Sequence, residues 1–130
     1  MVTFNDIYTV IRNAVKAEYP SAYCTSKYEP VPSEFPAVYV SQVGRSTPQG
    51  TITFSTSATY SEYTIQIQIF SNKTDTPKSE CDAIYTVIKR ALEGERLFVE
   101  KNAFPLENAD TSIYRFQAQF TRLFGDGDAL

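Results

Sequence analysis

The chain has 130 residues, 42% of them hydrophobic and 21% charged, which is enough for one domain with its own core and too few for two. Its net charge is −3, and its basic residues are scattered, so it lacks the electrostatic footprint that holds nucleic-acid phosphates. Histidine is absent, which removes the commonest general base and the commonest metal ligand together.

The N-terminus has no basic region leading into an apolar stretch, and no apolar run approaches the roughly 20 residues of a membrane span. The expectation is a protein of a reducing cytoplasm, with Cys24 and Cys81 as free thiols buried in regular structure.

A first helix is marked by Phe4, Ile7, Tyr8, Val10, Ile11, Ala14 and Val15 at helical spacing. Thr3 is placed to cap it, with Asp6 in the capping-box position and Val2 set to staple against Ile7; Pro20 stops it. Residues 22–29 alternate weakly as a strand, and a second strand, rich in Val and Tyr, runs from Ala37 to Val43. A long excursion follows at about 44–59, whose apolar content is Ile52 and Phe54. Residues 60–70 are the clearest strand, with Tyr63, Ile65, Ile67 and Ile69 on one face and Thr64, Gln66 and Gln68 on the other.

Pro77 fits the first position of a second helix capped by Thr76. Its stripe is Cys81, Ile84, Tyr85, Val87, Ile88, Ala91 and Leu92, and it ends at Gly94. Two strands close the chain, Leu97–Asn102 and Thr111–Leu123. The latter places Tyr114, Phe116, Ala118 and Phe120 opposite Arg115, Gln117, Gln119 and Thr121. The order α-β-β-β-α-β-β predicts an α+β fold, a mainly antiparallel sheet with two helices on one face. The domain is expected to span 1–124, with a flexible tail at 125–130. Ile7–Ala14 and Ile84–Ala91 read almost alike, which predicts that both helices bury the same kind of face.

The sequence carries no catalytic constellation. Neither cysteine has a CxxC partner, and no glycine-rich phosphate loop appears. Glu93 and Glu95 flank a turn, Glu29 and Glu34 lie among prolines, and Gly125-Asp126-Gly127-Asp128 is too short to hold calcium. No enzyme, cofactor or metal is expected.

Gln66 and Gln68 on one strand and Gln117 and Gln119 on another give the second sheet face amides where a merely solvated face carries Lys and Glu. With Arg115 they are candidates for a wet subunit interface or a channel wall, the plain alternative being an exposed sheet face. The long excursion reads either as the arm of an extended hairpin reaching a neighbour or as a loop that orders on binding.

Taken together, the capped first helix, the strand Phe35-Pro36-Ala37-Val38-Tyr39-Val40, the long loop after it, the strand Tyr63–Phe70 leading to Lys78–Ala91, and above all Asp110-Thr111-Ser112-Ile113-Tyr114-Arg115-Phe116 running into Gln117-Ala118-Gln119-Phe120 resemble the tail terminator, or tail-completion, proteins of long-tailed bacteriophages and prophages. The resemblance implies a subunit of a hexameric ring that caps the head-proximal end of the tail tube. It implies as partners copies of itself, the tail tube protein and the neck or head-completion protein, with DNA passing through the lumen without specific binding. It also implies a place in the virion tail or neck, after assembly in the host cytoplasm. Arg45, Gln49, Ile52 and Phe54 are then candidates for tube or neighbour contact, and Gln66, Gln68, Arg115, Gln117 and Gln119 for subunit packing or the lumen. Competing readings are a head-completion or stopper protein, a tail-tube subunit, and a small binding module for peptides or metabolites.

Overall fold

A computed structural model describes residues 2–46, 60–94, 96–107, 110–125 and 128–130. Among them are two helices, α1 (Phe4–Glu18) and α2 (Pro77–Lys89), and five strands: β1 (Tyr23–Thr25), β2 (Ala37–Ser46), β3 (Tyr60–Ser71), β4 (Val99–Leu106) and β5 (Tyr114–Gly125). The order is the expected α-β-β-β-α-β-β, and the fold is α+β.

The strands form one sheet in the order β1-β2-β3-β5-β4. Its pairs are antiparallel except β1–β2, which is parallel. β3 lies at the centre. It pairs with β2 from Phe70 back to Glu62, and with β5 over its whole length. Alternation along β3 buries Tyr63, Ile65, Ile67 and Ile69 against Ile7, Ile11 and Val15 of α1 and Ile84 and Ile88 of α2. The two echoing helical segments bury matching positions, Ile7 with Ile84 and Ile11 with Ile88, while Tyr8 and Tyr85 are both half-buried against the same cluster.

Helix α1 starts as the sequence dictates. Thr3 Oγ1 accepts from Asp6 N and Asp6 Oδ2 accepts from Thr3 N, a complete capping box, and Val2 joins Ile7 in the core. Helix α2 starts differently. Thr76 makes no side-chain cap, Pro77 takes the first position, and Glu80 turns aside to accept from Ser71 Oγ and pair with Lys73. The helix then widens into a π-helical turn, Arg90–Gly94, before the chain leaves it.

Strand limits differ from the expected ones for local reasons. The strand anticipated at 22–29 is only Tyr23–Thr25, because Thr25 Oγ1 accepts from Lys27 N and turns the chain away. Instead of Leu97–Asn102, β4 runs from Val99 to Leu106: Leu97 takes a left-handed φ of 62°, and Pro105 is tolerated on an edge strand. The strand expected from Thr111 begins at Tyr114, since Asp110 Oδ1 accepts from Ser112 N and Oγ and holds a turn there. β2 continues to Ser46, so positions 44–46, anticipated as the start of the excursion, belong to the strand; positions 47–59 lie outside the described residues.

β5 runs to Gly125, one residue beyond the anticipated end of the domain at 124. Arg122 donates to Ala129 O, Asp128 Oδ2 accepts from Gly125 N, and Leu130 packs against the main cluster. Both cysteines are free thiols. Cys81 is fully buried and Cys24 partly so. Burial pushes both thiols up, Cys81 to about 12, which favours their protonated form.

Because Ile67 is fully buried in the central strand with partners on both sides, Ile67→Ala is expected to cost about 2–5 kcal/mol, read from the urea midpoint at constant m-value.

Candidate functional site

The sheet face turned away from the helices is the surface where the sequence-predicted residues meet. Register fixes its rows. One reads Tyr39, Gln68, Gln117, Phe104 across β2, β3, β5 and β4, and the next reads Ser41, Gln66, Gln119, Asn102. Gln68 Nε2 donates to Gln117 Oε1 at 3.1 Å, and Gln119 Nε2 donates to Gln66 Oε1 at 3.1 Å. Thr64 and Thr121 extend the ladder at 3.5 Å between hydroxyls, and Thr121 Oγ1 also donates to Tyr63 O. The four glutamines therefore form two cross-strand pairs.

Those pairs run in opposite senses. Gln68 and Gln119 each spend a donor, while Gln117 and Gln66 each spend an acceptor. Gln66 and Gln117 keep whole amino groups, and Gln119 keeps its oxygen and one N–H, as groups these two bridges do not use, while Gln68 is almost completely enclosed.

One end of this face is not polar, which corrects the expectation of a uniformly amide-lined surface. Phe70, Ala37 and Ile113 are buried there with Tyr23, Phe35 and Tyr39 packed around them. The physical reason is the 26–36 segment, which brings Tyr28 edge-on to Tyr39, ring centroids 6.0 Å apart. Arg115 lies in this region with its guanidinium 5.9 Å from the Phe70 ring, and its Nε is buried without a hydrogen-bond partner. Gln68, beside it, is almost completely enclosed. The sequence signal missed was Phe70 itself, which breaks the run of polar residues at 64, 66 and 68.

Exposed apolar side chains border the ladder: Phe104 and Val99 on β4, and Leu123 on β5. Among the described residues in register on this face, the charged ones are Glu62 and Arg115. Of the residues anticipated for tube or neighbour contact, Arg45 is in β2, in register with Tyr63, whereas Gln49, Ile52 and Phe54 lie outside the described residues.

The β4 edge discourages strand addition, and at the other edge β1 covers β2 only at Ala37–Tyr39. β1 is three residues long, and β4 carries Lys101 at a bulge between Glu100 and Asn102 as well as Pro105.

The other titratable cluster lies where α2 meets β4. Tyr85 donates to Glu100 Oε2, Lys89 Nζ is 2.9 Å from the same oxygen, and Glu93 Oε1 accepts from Glu100 N. Burial and this bond to Glu100 push the Tyr85 hydroxyl well above its ordinary range, while Tyr85 and Lys89 hold the Glu100 carboxyl below its usual 4.5. These bonds tie α2 to β4 as a clasp.

A groove of about 410 Å³ runs between the helices, lined by Val10, Ala14, Ala17, Val87 and Ala91 and bridged by the exposed Arg90–Glu18 pair at 3.1 Å. Such a pair contributes little to stability. Among the described residues no group of three or more acids or thiols could hold a metal ion, and no helix is long and apolar enough to cross a membrane. No protein-family model matches the chain, and no curated protein matches it.

The clasp gives a signed pH dependence. Because the folded Glu100 titrates below its unfolded value, its contribution is complete above about pH 4.5 and is lost as pH falls through the lower folded value. The melting temperature of the parent protein minus that of Glu100→Gln should therefore shrink on acidification below pH 4.5 and stay constant above it, as thermal scans across that range will read.

Proposed function

We propose that this protein is a structural subunit of a closed homo-oligomeric ring, and that the ring is the tail terminator of a long-tailed bacteriophage or prophage. The observation that carries the first part is the pair of opposed glutamine bridges on a sheet face with little charge, bordered by exposed Phe104, Val99 and Leu123. A face of this make-up has the apolar contacts of an interface and leftover amide groups that match a like surface, without the cost of burying Lys or Glu. The bulge, Lys101 and Pro105 on β4 disfavour open-ended strand addition at that edge.

The second part rests on the sequence resemblance, centred on Asp110–Phe120. In this reading Gln66, Gln68, Arg115, Gln117 and Gln119 pack between subunits or line the lumen. The segment holding Gln49, Ile52 and Phe54, together with Arg45, reaches the tube or a neighbouring subunit. The ring works by geometry: its heterologous interface closes on itself, one face accepts the last tube subunits, and the opposite face lacks the surface on which growth would continue. Its other partner is the neck or head-completion protein, and a mildly acidic subunit lets DNA slide through without sticking.

Native mass measurement and electron microscopy of the purified chain should give closed rings of fixed copy number, and adding them to growing tubes should end elongation. A chain that stays solitary at micromolar concentration rejects the ring, and endless tubes formed by this chain alone reject the terminator. Gln119→Lys, which buries an unpaired ammonium in the proposed interface, should cost roughly 3–5 kcal/mol of association and leave a folded monomer by circular dichroism.

A further inference from the structure

We infer that β4 is a strap held shut by the clasp, and that it opens as a unit while the rest of the sheet stays folded. The inference concerns the unassembled subunit, because the proposed ring would cover Phe104 and Val99. Phe98 is buried just before the strand, edge-on to Phe124 with centroids 5.9 Å apart, and Ile113 is buried well after it. Among the described residues between those two anchors none is buried. Ala103 makes partial contact with the core, and Phe104 and Val99 face solvent. An element with so little buried apolar surface loses little when it leaves, which is the physical condition for opening below the global unfolding free energy.

The two limits of the strap are built to move. Leu97 holds a left-handed φ of 62° with its side chain 72% exposed, so the turn into β4 carries backbone strain that no burial offsets. Within the strand, the bulge between Glu100 and Asn102 interrupts the ladder, and Pro105 has no N–H to donate. What fixes the strap to the layer beneath is polar: Tyr85 and Lys89 on Glu100 Oε2, and Glu93 on the Glu100 backbone. Opening leaves β5 with an unpaired edge from Arg115 to Thr121, a stretch without proline.

Hydrogen exchange read by mass spectrometry on the full chain at neutral pH, at a dilution where native mass shows a monomer, tests this. Amides of Val99–Leu106 should exchange at least about 100-fold faster than those of Ile65–Ile69, and Tyr85→Phe and Glu100→Gln should each speed the strap about threefold or more while leaving Ile65–Ile69 unchanged. Stapling the direct cross-strand partners with Phe104→Cys plus Gln117→Cys should slow strap exchange in the oxidised form relative to the reduced form of the same variant. Strap amides that exchange together with Ile65–Ile69 overturn the inference. So do clasp variants that leave the strap unchanged or speed both regions equally.

Discussion

The structure depends on the two-sided pairing of β3. Every residue from Tyr60 to Ser71 has a partner on β5, and most also have one on β2, so the strand's backbone hydrogen bonding is satisfied on both edges. A one-residue slip would carry Ile65, Ile67 and Ile69 out to the glutamine face and bring Gln66 and Gln68 into the core. The core therefore fixes the register, and the register in turn places Gln68 opposite Gln117 and Gln66 opposite Gln119. Core and candidate surface are two readings of one alignment.

Much of this was legible in the sequence because period-2 alternation is strongest where one face is fully buried. Tyr63–Ile69 and Tyr114–Phe120 declare their core faces directly, and the capping box at Thr3–Asp6 declares the start of α1. The parallel pairing of β1 with β2 was not legible, because a three-residue strand has too few positions for any period to appear. Nor was the extent of β4. With no buried residue in the strand, the segment has no alternation to read, and the left-handed backbone at Leu97 leaves no mark in a residue type that rarely adopts it.

The face opposite the helices was legible in part. The positions of the four glutamines follow from alternation, but their pairing in opposite senses is a matter of side-chain geometry that spacing does not carry. Phe70 shows the same limit. Its parity assigns it to the polar face, and only the folded 26–36 segment, with Tyr28 against Tyr39, explains how an aromatic ring becomes buried there. The clasp escaped notice for a related reason, since Tyr85 stands on the apolar stripe of α2 and reads as core until its hydroxyl is seen on Glu100.

The glutamine pairs also bear on the energetics of association. A lone exposed amide meeting a partner surface must give up water from both its donor and its acceptor, and each group left unmatched costs about 1–3 kcal/mol. Here each side chain has already exchanged one water contact for a neighbour across the ladder, so part of that desolvation is complete before any partner arrives. The ladder also holds four long side chains in one arrangement, reducing the rotamer entropy that docking would otherwise remove. Charged residues in the same four positions would gain solubility but would carry a far larger desolvation penalty into an interface. A face made of paired amides is thus stable against water and inexpensive to cover, which is the combination the proposed ring requires of a surface that must survive as a monomer before it assembles.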